Sequence, residues 1–140
     1  MAPKLIALDL PGGPEFVVAL QRIWDRGDAA FPLDRRLPAP ARAAMLAAMR
    51  PASVIDEHGI ETPCPDAVPV EPGDAVVVAT SGSTGDPKGV VLTHDAVANS
   101  ARSTSAGISV DPATDHWLCC NRAASASPHK QQVQSNRHSR

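Results

Sequence analysis

The chain has 140 residues, enough for one domain with a core of its own, and a formal net charge of −2 that excludes a general nucleic-acid binder. Aromatic residues are only 3% and tyrosine is absent, so Val, Leu, Ile and Ala must build that core. All 15 acidic residues and nine of the 13 Lys and Arg residues precede residue 121, so the last 20 residues follow a different composition.

Lys4–Asp9 (KLIALD) is a short apolar run stopped by Pro11-Gly12-Gly13, and it predicts a buried strand. Pro14 and Glu15 open a helix in which Phe16, Val17, Ala19, Leu20, Ile23 and Trp24 form an apolar face; Gly27 is its expected left-handed stop. Ala29–Leu33 predicts a second strand, with Pro32 at its end, and Arg35 and Arg36 follow as a solvated pair in a loop. Pro38–Arg50 is Ala-rich and helical, and Pro51 ends it. Ala52–Asp56 is a third strand. This order implies an α/β fold with parallel strands and right-handed crossovers.

Residues 57–73 hold four prolines and few apolar residues, and they read as a surface loop. Asp74–Ala79 and the run through Leu92 predict two antiparallel strands. Thr93 is a suitable N-cap, with Asp95 in the first turn, for a helix to about Ser105. Asp115–Cys120 gives a last strand signal. Cys64, Cys119 and Cys120 have no metal-ligand spacing and read as small buried residues in strands. No run of 18 apolar residues predicts a membrane span, and with few cysteines and no leader the expected location is cytoplasmic.

Between the two antiparallel strands lies Thr80-Ser81-Gly82-Ser83-Thr84-Gly85-Asp86-Pro87-Lys88-Gly89. Glycines and small side chains let backbone N–H groups converge on an anion. Four hydroxyls, on Thr80, Ser81, Ser83 and Thr84, add donors, and Lys88 adds a mobile full charge. Pro87 stiffens the turn ahead of Lys88. The pattern predicts a polyphosphate cradle formed by residues 80–88. It lacks the spacing of G-x-x-x-x-G-K-[ST] and of G-x-G-x-x-G, so it is neither of those common loops. No residue is assigned to a resident metal.

These ten residues resemble the signature loop of the acyl-adenylate-forming (AMP-binding) enzymes, and Val90-Val91-Leu92-Thr93-His94 continues the likeness. The strand–helix order before it is similar to the start of that family's large N-terminal domain, so the resemblance extends over residues 1–120. It implies an ATP-dependent acid–thiol ligase: a carboxylate and ATP give an acyl-adenylate and pyrophosphate, and the thiol of coenzyme A then takes the acyl group. Thr80, Ser81, Gly82, Ser83, Thr84, Gly85, Asp86, Pro87 and Lys88 would hold the β- and γ-phosphates with their Mg²⁺. The hydroxyls of Thr80, Ser83 and Thr84 would be direct contacts, and Lys88 the catalytic cation that offsets charge on the departing pyrophosphate.

Within the family, the compact N-terminal region with Leu8-Asp9-Leu10-Pro11 and Phe31-Pro32-Leu33-Asp34 resembles a short o-succinylbenzoate–CoA ligase of menaquinone synthesis; other aryl- or acyl-CoA ligases are the alternatives. The family's acyl-site and adenine-binding segments and C-terminal lysine have no counterpart in these residues. The chain is therefore expected to be an incomplete domain, inactive alone. Residues 121–140 read as disordered and as the product of a shifted frame or truncated gene model; the alternative is a genuine basic tail for an acidic partner. A non-catalytic polyphosphate-binding fragment, and a module that works with a separate chain supplying the lysine domain, are the competing functional expectations.

Overall fold

The computed structural model describes residues 2–81, 87–111 and 113–115. Strand β1 is Leu5–Leu8, helix α1 Pro14–Asp25, strand β2 Ala29–Pro32, helix α2 Ala39–Met49 and strand β3 Ser53–Ile55. Strand β4 is Glu61–Pro63, followed by the hairpin of β5 (Asp74–Ser81) and β6 (Pro87–Thr93) and by helix α3 (His94–Gly107).

The described strands form one sheet in the order β4-β3-β1-β2-β5-β6. β1 pairs parallel with β2 (Ile6 opposite Ala30) and with β3 (Ala7 opposite Val54), and β2 pairs parallel with β5 (Ala30 opposite Val76). β4 and β6 close the two sides as antiparallel strands. The parallel βαβ arrangement expected from the element order is therefore present.

Alternation along the short strands divides the core between two faces. Leu5, Ala7, Ala29, Phe31 and Val77 pack on one side with Met45, Leu46 and Met49 of α2. Ile6, Leu8 and Ala30 pack on the other with Phe16, Ile23, Leu20 and Trp24 of α1. Ile6, Leu8, Ile23 and Phe31 are fully buried; each contributes about 1.5–3 kcal/mol by leaving water. The start of α3 lies beside α1, where the His94 ring meets Trp24 edge-on at 5.1 Å between centroids. Trp24 also donates its indole N–H to the Ala75 carbonyl at 2.8 Å, tying α1 to β5.

Element ends follow local chemistry. α1 begins on Pro14 and gives way to Gly27 at φ +76°, the left-handed stop read from the sequence. α2 ends on Arg50, itself left-handed at φ 46°, ahead of buried Pro51. Thr93 caps α3 by accepting the Ala96 N–H at 3.2 Å, and Asp95 occupies the first turn.

Two details differ from expectation. Glu61–Pro63 is a strand inside the segment read as loop, paired antiparallel with β3. Cys64 is half-buried just after that strand rather than inside one. Residues 116–140, which include the last expected strand, Cys119, Cys120 and the basic tail, lie outside the described residues. Among the described residues no helix is long and apolar enough to cross a membrane.

Candidate phosphate-binding hairpin

Because β1, β2, β3 and β5 are parallel, their carboxyl ends meet at one rim of the sheet. Open α/β sheets place ligands outside that rim. The β5–β6 hairpin presents its turn there. Thr80 is opposite Lys88 and Ser81 opposite Pro87. Gly82, Ser83, Thr84, Gly85 and Asp86 lie between these pairs and outside the described residues.

The flanks of the turn are well determined by pairing. Val76 through Ser81 run in register against Leu92 through Pro87. The Thr80 hydroxyl donates to the Lys88 carbonyl at 3.2 Å, which leaves the hydroxyl oxygen able to accept and closes the strand pair next to the turn. Lys88 is exposed. Strand alternation places it on the same sheet face as Thr80, opposite the face of Gly89 and α2. Gly89 is packed tightly: a Cβ there would stand 2.8 Å from Met49 Sδ and 2.9 Å from Val77 Cγ1. Glycine is needed at this position for space, since no positive φ is involved.

The same rim carries a second set of charges. Arg35, read from the sequence as solvated, bridges two strand ends: its Nε is 3.2 Å from Asp9 beyond β1, and its terminal nitrogen is 2.5 Å from Glu57 beyond β3. Arg42 of α2 joins Asp9 at 3.2 Å. Arg36 turns back on Asp34 at 2.6 Å. The hydrogen bond from Arg36 holds the Asp34 carboxyl below its ordinary range. These three arginines are matched by three carboxylates, so this part of the rim is nearly neutral and Lys88 stands apart from it. The parallel topology was the signal for this cluster, because it brings together residues that each lie just beyond a strand.

Other candidate residues have structural surroundings. Exposed His58 sits in a turn where Asp56 accepts the N–H groups of His58 and Ile60, both at 2.9 Å. His94 packs on Trp24 at the first turn of α3. Among the described residues, no group of three His, Cys, Asp or Glu side chains could hold a metal ion.

The chain is similar to known proteins. The family model described as "AMP-binding enzyme" matches residues 57–124. The chain is 33% identical over 101 residues to the dapdiamide synthesis protein DdaD of Enterobacter agglomerans, covering 66% of this chain and 18% of that protein. It is 35% identical over 115 residues to the pyochelin synthetase PchF of Pseudomonas aeruginosa, covering 69% of this chain and 6% of that one. Among solved structures, a four-domain nonribosomal peptide synthetase bound to AMP and glycine superposes with a TM-score of 0.60 at 21% identity, over 79% of this chain and 10% of that one. The synthetase FmoA3, in a form bound to α-methyl-L-serine-AMP, gives a TM-score of 0.54 at 27% identity, over 75% and 14%. The chain thus spans less than a fifth of each of these proteins. Their names point to peptide synthesis rather than to an o-succinylbenzoate–CoA ligase, so the narrower resemblance drawn from the N-terminal tetrapeptides is not supported. The sheet has the fold of the N-terminal part of an adenylate-forming domain, and residues 57–124 resemble the AMP-binding enzyme family.

Proposed function

We propose that this chain supplies the polyphosphate-holding hairpin of a ligase that activates a carboxylate as its adenylate. The observation that carries the reading is the paired frame of the turn: Thr80 opposite Lys88 at the carboxyl rim, with an exposed ammonium at one end of residues 81–87. A carboxylate oxygen attacks the α-phosphorus of ATP, and the bond to the β-phosphate bridging oxygen breaks. Pyrophosphate then leaves with the electron pair. Lys88 and the N–H and hydroxyl groups of residues 80–86 meet the negative charge that collects on the leaving group. Mg²⁺ enters with the nucleotide.

The neighbours bound to AMP and glycine and to α-methyl-L-serine-AMP support an amino-acid carboxylate as the activated group. Transfer to a thiol completes the reaction in the parent enzyme. Coenzyme A is the alternative acceptor, implied by the loop's family resemblance, whereas the o-succinylbenzoate reading rests on short N-terminal segments alone. The residues assigned here are those for the phosphates of the nucleotide.

Calorimetric titration with pyrophosphate and MgATP tests this reading. The unaltered chain binds both, and Lys88→Ala weakens binding about tenfold, the lower range for hydrogen bonds between charged groups. Equal affinity in the two proteins would remove Lys88 from the site.

A further inference from the structure

Lys88 is followed in β6 by Gly89, which is exposed like Val90, Val91 and Leu92 (47%, 50% and 37%). On the side where a Cβ would stand, however, two side chains meet Gly89. Met49, the last residue of α2, reaches the bare Gly89 backbone on one face, and Val77 lies beside it from β5. Val77 is buried and β-branched, with little freedom to yield. A thioether is polarizable and fits an irregular contact against main chain. β6 is therefore held at its start by two contacts at adjacent residues, the Thr80 hydroxyl on the Lys88 carbonyl and Met49 on Gly89.

We propose that Met49 is a positioning residue for the phosphate hairpin: seated on Gly89, it holds the start of β6 against the sheet and fixes the point from which Lys88 projects. Gly89 is the complementary half of the pair, because any Cβ would displace the sulfur. The inference rests on the reading of Lys88 as the phosphate partner, and it adds a residue 39 positions upstream that touches no ligand.

A double-mutant cycle on the full 140-residue chain, read by pyrophosphate titration, tests it. Met49→Ala is expected to weaken binding about three- to tenfold when Lys88 is present and less than about 1.5-fold in the Lys88→Ala background, because coupled residues do not act additively. Met49→Leu, close in volume, should stay within about twofold of the unaltered chain. Gly89→Ala, which pushes the sulfur away from the other side, should show the same dependence on Lys88. An equal loss from Met49→Ala with and without Lys88 overturns the proposal, since a general loss of folding would act in both backgrounds. If the unaltered chain binds no pyrophosphate, the reading of Lys88 fails, and amide NMR spectra then decide the positional claim. Met49→Ala must displace the Thr80 and Lys88 signals while Met49→Leu leaves them in place; unmoved signals in Met49→Ala overturn it.

Discussion

At the scale of single residues, the hairpin depends on side chains that are small, stiff or hydrogen-bonded rather than large. Thr80 shows this: its hydroxyl proton is committed to the Lys88 carbonyl, so toward a phosphate it acts through its lone pairs or after rotating. The expectation of direct phosphate contacts from Ser83 and Thr84 falls outside the described residues. Away from the hairpin, buried Ser53 donates to Glu61 at 2.5 Å. This bond, helped by the charge of Arg26, holds the Glu61 carboxyl below its ordinary value of 4.5. A carboxylate depressed in the folded state stabilises the fold above its unfolded value. That contribution is lost as pH falls through the depressed one. The melting-temperature gap between the unaltered chain and Ser53→Ala should be widest near neutral pH and narrow steadily below about pH 4.5, as differential scanning fluorimetry across pH 7 to 3 can show. A gap independent of pH would assign the loss to packing.

At the scale of elements, the sequence made the periodic segments readable and the edge invisible. β1, α1, β2, α2 and β3 were legible from local pattern: Leu5–Leu8 is a short apolar run buried on both faces, and the Phe16–Trp24 face repeats with the helical period. β4 was not. Glu61, Thr62 and Pro63 are all exposed, so there is no apolar pattern to read, and the strand is held by backbone pairing to β3. The hairpin and the antiparallel sense of β5 and β6 were readable from two apolar runs around a turn. The Arg35–Asp9–Glu57 bridge was not, because it joins three strand ends that are adjacent only after the sheet forms. The cap of α3 was readable from Thr93 and Asp95. Thr93→Ala removes the acceptor for the Ala96 N–H and should cost about 1 kcal/mol, measured by urea denaturation; a cost near zero would show that α3 adds nothing to the cooperative unit.

At the scale of the whole molecule, the sheet is asymmetric in its cover. α2 and α1 cover the two faces of the sheet over β1 and β2, while β6 carries three consecutive large apolar residues with 37–50% of their surface exposed. An apolar edge strand is a template for pairing with other chains. At high concentration the chain is therefore expected to self-associate, and Val91→Lys should shift it toward monomer in sedimentation velocity without changing pyrophosphate affinity. Unchanged association would place the contact elsewhere. The chain spans 18% of DdaD and 10% of the four-domain synthetase. The polyphosphate proposal rests on ten residues, Thr80–Gly89, and those residues do not select an acyl substrate.

The central claim is that residues 80–88 form a seat for polyphosphate at the carboxyl rim of the sheet. Pyrophosphate titration of the isotope-labelled 140-residue chain, followed by amide NMR, tests it most directly. The account predicts saturable shifts concentrated on residues 80–89, reduced in Lys88→Ala, with the Asp9, Arg35 and Glu57 signals little changed. Shifts centred on Arg35 and Arg36, or none along the hairpin, would contradict it.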